Sequence, residues 1–206
     1  MKPPAHKIYL ASKSPRRREL LRQIGVEFEL LLLREDPTRG PEVSEAIIPG
    51  ETPENYVARV TLEKANAAKH AMLVRHLPMR MILAADTTVT VDGLILGKPV
   101  DKADAKRMIR ALSGRTHQVL TSVVLIHDEE IRQITQQSDV TFATLTEEEI
   151  EAYCSLKEPY DKAGGYGIQG MAAMFIQQIS GSYSGIMGLP IHETSQLLRQ
   201  AGIPLL

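Results

Sequence analysis

The sequence predicts an α/β fold in which helices flank one mixed, twisted sheet. In the first half of the chain, short apolar strand-like runs alternate with helical patterns, which favours parallel strands joined by helices. In the second half, two β-rich segments at 118–127 and 131–144 are separated only by Asp128-Glu129-Glu130, so we expect them to pair antiparallel. A sheet with both kinds of neighbour is mixed rather than purely parallel.

The first three elements are predicted as strand, helix and strand. The apolar run 8–11 predicts a strand. Ser14 followed by Pro15 is a helix start signal, because serine caps a helix and proline fits its first position. Gly25 ends this helix, and residues 26–33 predict the second strand.

A long acidic loop and a long helix come next. Residues 34–51 are rich in proline, glycine and acidic side chains and show little periodicity, so we expect an exposed loop. The sequence does not decide whether this loop closes on a ligand as a lid. Thr52 and Pro53 repeat the helix start signal, and apolar residues then recur with helical spacing as far as His76.

The rest of the chain predicts further strands and helices. A strand ending at Asp86 precedes a hairpin whose turn is Asp92-Gly93, and Thr146 with Glu149 forms a capping box at a helix start. The predicted elements are strand 81–85, hairpin 88–91 with 94–96, helix 102–112, strands 118–127 and 131–144, helix 146–155, strand 174–179 and helix 190–200.

Composition indicates one globular domain spanning residues 1–206. Hydrophobic residues make up 43% and charged residues 24%, which is ordinary for a packed domain. Cys154 is the only cysteine, so intramolecular disulfides are excluded and a small buried core residue is expected. The N-terminus lacks the apolar region of a secretory signal, and we expect a cytoplasmic protein.

Nucleic-acid and membrane partners are not expected. The net charge is −1 and aromatic residues make up 4%, which gives little for backbone attraction or base stacking. Residues 163–191 carry no charged side chain, but Gly, Gln, Ser and Pro interrupt them throughout. A membrane span needs about 20 consecutive apolar residues, so this stretch predicts loop, buried strand and loop.

Three features of the sequence are candidates for chemistry. Residues 12–17 join a strand to a helix start and carry three nearby cations, which suits a phosphate; a solvated basic turn is the alternative. Asp86 ends a buried strand, where open α/β sheets place ligands, and a capping or turn aspartate is the alternative. Seven of the 14 glycines lie between Gly164 and Gly188, which suggests a backbone close to a ligand, although glycine-rich loops are often only turns.

Single candidates are weaker. For Lys64, Lys98 and Glu45, a solvated surface role is the better expectation from the local pattern alone. His117 and His192 are expected to be structural rather than metal ligands, because no second His or Cys lies at ligand spacing.

Several of these segments together resemble the Maf family of nucleoside triphosphate pyrophosphatases, over almost the whole chain. The matching motifs are Ala11-Ser12-Lys13-Ser14-Pro15-Arg16-Arg17, Ala85-Asp86-Thr87, Lys98-Pro99, Leu112-Ser113-Gly114, Glu158-Pro159, Asp161-Lys162-Ala163-Gly164, Tyr166-Gly167-Ile168-Gln169-Gly170 and Gly188-Leu189-Pro190. The resemblance implies a Maf/ITPase-like fold with two lobes around a central cleft, a homodimer, and hydrolysis of a nucleoside triphosphate to the monophosphate and pyrophosphate.

The resemblance also implies roles for particular residues. Asp86 would be the catalytic carboxylate, and Glu45 would help it to hold a metal. The residues around the phosphates would be Ser14, Arg17, Lys64, Lys98 and Lys162. An aspartate of pKa ~3.9 is a weak base toward water, so we expect dependence on Mg²⁺ or Mn²⁺, which acidifies bound water. Whether Asp86 accepts the proton, binds the metal or does both stays open.

Three positions favour pyrimidine nucleotides. The members similar to dTTP/UTP hydrolases have Arg, Thr and Gln where a 7-methyl-GTP-preferring subclass has Trp, Gln and Glu, and here the residues are Arg16, Thr87 and Gln169. A neutral amide donates and accepts, as a uracil or thymine edge requires, whereas glutamate only accepts. Canonical bases and modified pyrimidines are both compatible with this pattern.

Two departures from the family pattern concern the acidic residues. Ala84 stands where a glycine is usual, two residues before Asp86. The loop before Thr52 is long and has Val43-Ser44-Glu45 where Val-Asp-Glu is common, so Glu35 and Asp36 are rivals of Glu45 as metal ligands. A non-catalytic nucleotide-binding regulator of cell division is the alternative function, and intact Asp86 and lysines favour the enzyme.

Overall fold

The structure is a computed structural model that describes residues 7–33 and 43–205, together with the backbone of 35–36 and 40–41. Its helices are α1 (Pro15–Gln23), α2 (Pro53–Val74), α3 (Lys102–Leu112), α4 (Glu147–Cys154), α5 (Tyr183–Ile186) and α6 (Ile191–Gln200). Its strands are β1 (Ile8–Leu10), β2 (Phe28–Leu30), β3 (Glu35–Asp36), β4 (Gly40–Pro41), β5 (Ile82–Val91), β6 (Leu94–Leu96), β7 (Thr116–His127), β8 (Glu130–Phe142) and β9 (Ile176–Ser180).

Seven of the described strands form one mixed sheet, as the sequence predicts. The order is β2-β1-β5-β7-β8-β9, and β6 pairs with β5 beside this path. β1 runs parallel to β2 and β5, whereas β5, β7, β8 and β9 are successively antiparallel. The short pair β3 and β4 lies inside the segment for which only a loop is expected.

Local start signals fix the predicted helices. The hydroxyl of Ser14 accepts from the Arg17 N–H at the start of α1, and that of Thr52 does the same at α2. Both bonds of the predicted capping box form at α4, where Thr146 and Glu149 each accept from the other's backbone N–H. None of the helices in the described part of the chain is both long and apolar enough to cross a membrane.

The hydrophobic core divides on either side of Asp86. On one side, β1, α1, α2 and α6 pack against β5 and β7 around residues such as Leu83 and Val124. On the other side, α3 and α4 pack on the far ends of β5, β7 and β8 around Val89 and Phe142. Cys154 belongs to this second cluster and is buried, which confirms the expectation of a core residue.

The predicted elements differ from the structure in three places. The runs 81–85 and 88–91 belong to one continuous strand, β5. β9 begins at Ile176 after a 3-10 turn and is largely exposed, not buried, because it lies at the edge of the sheet. α5, which is only four residues long, was not predicted.

Candidate active site

The site lies in a gap along one edge of β5. The opposite edge pairs with β7 from Ile82 to Thr90 without interruption. On the open edge of β5, the pairing with β1 stops at Leu83, and the pairing with β6 starts at Val89. Asp86 therefore lies mid-strand, and its prediction at the carboxyl end of a strand is wrong; the strand that ends here is the parallel neighbour β1. Because the gap opens both faces of β5, Asp86 and Thr87 can reach one cleft from opposite faces.

A cleft of about 650 Å³ occupies this gap. It brings together residues that are far apart in the sequence. All ten residues to which the family resemblance assigns a role line it, namely Ser14, Arg16, Arg17, Glu45, Lys64, Asp86, Thr87, Lys98, Lys162 and Gln169.

Lys64 lies between the two carboxylates of the cleft. Its ammonium contacts Asp86 Oδ1 at 2.6 Å and Glu45 Oε1 at 2.7 Å. Burial disfavours the charged form of Glu45, but the hydrogen bond and charge of Lys64 outweigh burial and lower the pKa of Glu45. Lys98 and Arg17 add to this lowering through their charges. Both carboxylates are thus held against one cation.

Glu45 reaches the cleft because its segment is fastened to α2. The Tyr56 hydroxyl donates to the Glu45 carbonyl at 3.1 Å, and Arg59 donates to the Ala46 carbonyl at 2.9 Å. Arg59 also binds both carboxylate oxygens of Glu51, at 2.7 and 2.9 Å. These contacts hold residues 45–51 at the mouth of the cleft. The rivals Glu35 and Asp36 have side chains outside the described residues.

The start of α1 offers fewer backbone donors than its sequence suggests. The Ser14 N–H donates to the buried Ser12 hydroxyl at 3.1 Å, and the Arg17 N–H faces the Ser14 hydroxyl at 3.5 Å. Pro15 has no N–H. Much of the affinity for an anion at this wall must therefore come from side-chain cations.

Arg17 crosses the floor of the cleft and contacts only neutral acceptors among the described bonds. Its Nε donates to the Gly188 carbonyl at 2.7 Å, and its two terminal nitrogens donate to Thr87 Oγ1 at 3.2 Å and Ser12 Oγ at 3.4 Å. Burial lowers the pKa of Arg17, and the nearby charge of Asp86 opposes this effect. Gly188 has φ 111°, a conformation that favours glycine, and a Cβ there would lie 3.4 Å from the Arg17 Nε.

The glycine-rich segment carries Lys162 and closes against β5. Lys162 is held by the Glu158 carbonyl at 2.8 Å and by the carboxylate of Asp161. The Gly164 N–H donates to the Gly97 carbonyl at 3.0 Å, which ties this segment to the turn before Lys98. A Cβ on Gly164 would meet the Val89 side chain at 2.9 Å, so this close approach requires glycine.

Arg16 and Gln169 lie at the outer part of the cleft. Burial raises the pKa of Asp161, but the hydrogen bond and charge of Lys162 lower it, and the net change is a lowering. The charge of Arg16 adds a smaller part of this lowering. Gln169 is exposed and also lines a second cavity of about 240 Å³, beside Tyr183 and Met187. Gln169 and Met187 line both cavities.

The donor set fits a hard divalent cation. Asp86 and Glu45 converge on one point, and such cations take one or two carboxylates together with substrate oxygens and water. Across the described residues there is no group of three or more His, Cys, Asp or Glu that could form an all-protein metal site. A divalent cation bound by these two carboxylates would take its remaining ligands from water or from another molecule.

His117 is a buried, hydrogen-bonded side chain, whereas His192 lies at the surface. His117 is buried, its Nε2 lies 2.6 Å from the Tyr166 hydroxyl, and its ring packs edge-on against Phe142. Burial lowers the pKa of His117 to about 4. His192 is exposed on α6 and contacts Gln196.

Sequence reasoning missed residues that hold the site from behind. These residues are Ser12, Tyr56, Arg59, Thr121 and Gly188. Ser12 and Gly188 carried a signal, as members of the segment 12–17 and of the glycine cluster. The contacts of Tyr56, Arg59 and Thr121 join residues 8 to 64 positions apart, and no local pattern marks them.

Comparisons with known proteins identify the family of this chain. The family model described as Maf-like protein matches residues 7–201. The chain belongs to the Maf family. A relative from Aromatoleum aromaticum, named dTTP/UTP pyrophosphatase, is 53% identical over 206 residues and covers 100% of both chains. A relative from Ralstonia nicotianae with the same name is 55% identical and covers 96% of this chain and 95% of its own.

A solved structure gives a weaker likeness. The Staphylococcus aureus Ham1 protein aligns with 66% of this chain and 72% of its own, at a TM-score of 0.45 and 16% identity. At that level the likeness carries no argument about this Maf protein.

Proposed function

We propose that this Maf protein hydrolyses nucleoside triphosphates, dTTP and UTP above others, to the monophosphate and pyrophosphate. One observation carries the proposal: a carboxylate, Asp86, lies at the centre of a cleft whose walls supply cations from four parts of the chain. Such a cleft suits the triphosphate of a nucleotide, because the cations can stabilise the negative charge on the phosphates during hydrolysis. The names of the relatives point to the same substrates.

The cations are proposed to bind the phosphates. Arg17 and Lys162 are held in place by neutral carbonyls and hydroxyls or by a neighbouring carboxylate, and Lys98 lies close enough to Glu45 to lower its pKa. Lys64 is already paired with Asp86 and Glu45, so a triphosphate must compete with two carboxylates for it. The Ser14 hydroxyl completes this set at the start of α1.

Asp86 and Glu45 would hold the divalent cation, Mg²⁺ or Mn²⁺. The cation would supply acidified water and neutralise phosphate charge. Asp86 is then placed to orient the attacking water or to accept its proton, and both roles stay within the proposal. Lys64, next to both carboxylates, can move its charge to the substrate when they bind the metal.

Arg16, Thr87 and Gln169 are proposed to set the preference for pyrimidines. Gln169 is exposed at the outer cleft and offers both a donor and an acceptor, which matches the edge of uracil or thymine. A homodimer and a cytoplasmic location are part of the same proposal.

The test measures pyrophosphate release from dTTP, UTP, CTP, 7-methyl-GTP and ATP with Mg²⁺, Mn²⁺ or EDTA. We expect metal-dependent release, fastest from dTTP and UTP. Asp86→Asn should lower it by roughly 10²–10⁴-fold, the usual loss when a catalytic acid or base is removed.

Asp92→Asn is the matched control. Asp92 lies in the turn after β5 at φ 51° and is exposed, and asparagine tolerates that conformation. This variant should keep native rates. Nucleotide binding without any turnover by the native protein would contradict the proposal and favour a binding regulator.

A further inference from the structure

A chain of hydrogen bonds connects Arg17 to a buried carbonyl behind the cleft. Arg17 donates to Thr87 Oγ1 at 3.2 Å, Thr87 Oγ1 lies 2.9 Å from Thr121 Oγ1, and Thr121 donates to the Gly185 carbonyl at 2.8 Å. Thr87 and Thr121 are direct cross-strand partners on β5 and β7. The chain thus runs from the phosphate wall through the sheet to α5.

The direction of every proton in this chain is determined. A carbonyl only accepts, so the single hydroxyl proton of Thr121 goes to Gly185. Thr121 must then accept a hydrogen bond from Thr87, so the single hydroxyl proton of Thr87 lies in this bond. Arg17 has only donors, so Thr87 accepts from it. Each hydroxyl in the chain therefore accepts from one side and donates to the other.

This chain fixes the orientation of a guanidinium that no carboxylate touches among the described contacts. Asp86 acts on Arg17 through charge alone, and the direct partners are Ser12, Thr87 and Gly188. Two of the anchors, Gly188 directly and Gly185 through Thr121, belong to the segment around α5. Neutral acceptors orient Arg17 without neutralising it, so its charge stays available to an anion.

We propose that Thr121 is a positioning residue for Arg17, and that it acts on the phosphate wall through Thr87. Thr121 is fully buried and cannot contact a substrate. The ligand affected is the polyphosphate, and the inference rests on the proposed function.

The test compares Thr121→Val with Thr121→Ser. Valine keeps the shape but removes the hydroxyl, whereas serine keeps the hydroxyl. Thr90→Val is the matched control, because Thr90 is a buried threonine on β5 whose hydroxyl has no partner among the described residues. Binding of pyrophosphate with Mg²⁺ is measured by calorimetry, and kcat/KM is measured for dTTP, UTP and CTP.

We expect Thr121→Val to weaken pyrophosphate binding about tenfold, as for a lost hydrogen bond that supports a charged group. kcat/KM should fall by the same factor for all three nucleotides, so that the ratio of dTTP to CTP stays native. Thr121→Ser and Thr90→Val should stay within about twofold of the native protein. In an Arg17→Lys background, Thr121→Val should add less than about twofold, because residues that act through one partner are not additive.

Three results would overturn the inference: native pyrophosphate affinity in Thr121→Val, an equal further loss in the Arg17→Lys background, or a changed ratio of dTTP to CTP. If Thr121→Val does not fold, Thr87→Val breaks the same chain from the cleft side and carries the same expectation for pyrophosphate binding. The binding measurement needs no turnover. Failure of the proposed function, seen as no hydrolysis of any nucleotide, is therefore distinguishable from failure of this inference.

Discussion

Arg17 and Lys64 are both cations at the floor of the same cleft, but their surroundings differ. Arg17 is surrounded by neutral oxygens of Gly188, Thr87 and Ser12, whereas Lys64 contacts the carboxylates of Glu45 and Asp86. Neutral partners fix the orientation of a cation without neutralising it, whereas carboxylate partners neutralise its charge. One wall of the cleft is therefore prepared for an anion, and the other must exchange partners before it can bind one.

The largest effect that tests this contrast comes from Lys64→Met. Without the ammonium, Glu45 and Asp86 face each other, and we expect hydrolysis to fall by roughly 10²–10³-fold, as when one electrostatic donor is lost. The pKa of Glu45 should rise, so the acid limb of the pH–rate profile should move to higher pH. Rates measured across pH check both expectations.

The sign of this pH effect follows from the native pKa of Glu45, which is lowered. A lowered carboxyl pKa contributes stability above its ordinary value of about 4.3 and loses it as pH falls through the folded value. Lys64→Met should remove that contribution. Lys69→Met is the control, since Lys69 lies on the same helix and pairs only with the exposed Glu129 among the described ion pairs. An unchanged acid limb of the pH–rate profile in Lys64→Met would contradict the stated difference between Lys64 and Arg17.

A smaller effect is expected when the carboxylate wall is loosened from outside. Arg59→Met releases the Ala46 carbonyl and Glu51, so that Glu45 is less well placed. We expect about a fivefold loss of hydrolysis, equivalent to about 1 kcal/mol, the upper range for an ion pair that is not deeply buried. Hydrogen exchange across residues 44–51 should increase in the same variant.

The control for this change is Arg107→Met, which removes a surface pair with Asp104 on α3. It should leave hydrolysis and exchange at native values. In a Glu45→Gln background, Arg59→Met should cost little more. A full additional loss there would show that Arg59 acts on the fold and not through Glu45.

The last effect is on stability and not on hydrolysis, and it concerns the polar pair of His117 and Tyr166, which packs against Phe142. His117 has its pKa lowered to about 4 by burial, which the backbone of Arg115 only partly offsets. The unfolded chain, with a histidine pKa near 6.5, then binds the extra proton first, so stability should fall as pH drops from ~6.5 toward ~4, by at most about 3 kcal/mol. Chemical denaturation at several pH values measures this loss.

His117→Gln should flatten that dependence, since the amide can still bond the Tyr166 hydroxyl without taking a proton. His192→Gln, which changes an exposed histidine, should keep the native slope. A native slope in His117→Gln would assign the acid sensitivity to another group.

Much of the fold could be predicted because its signals are local. Ser14, Thr52 and Thr146 mark helix starts through bonds to residues three positions away, and Asp92-Gly93 marks a turn through its own backbone conformation. β9 and α5 could not be predicted in the same way. The exposure of β9 follows from its place at the sheet edge, and α5 is too short for periodicity.

The same distinction separates the found residues of the site from the missed ones. Asp86 was found because it interrupts an apolar run, but its position was misjudged, since the gap that tolerates it depends on where β1 and β6 end. Thr121 was missed because its bond to Gly185 spans 64 positions. Family motifs identify what faces the cleft, whereas long-range contacts decide what holds it.

The gap along β5 also gives the cleft a wall of backbone groups, which side-chain substitutions do not remove. The Leu83 carbonyl bonds to Ala11 of the strand segment beside it, so by the alternation along a strand the backbone groups of Ala85 and Thr87 point toward the same open edge. Those amide and carbonyl dipoles belong to the main chain and survive every side-chain replacement. An alanine scan of this cleft therefore measures only part of what a ligand meets, and isotope-edited amide spectra at Ala85 and Thr87 would record the remainder.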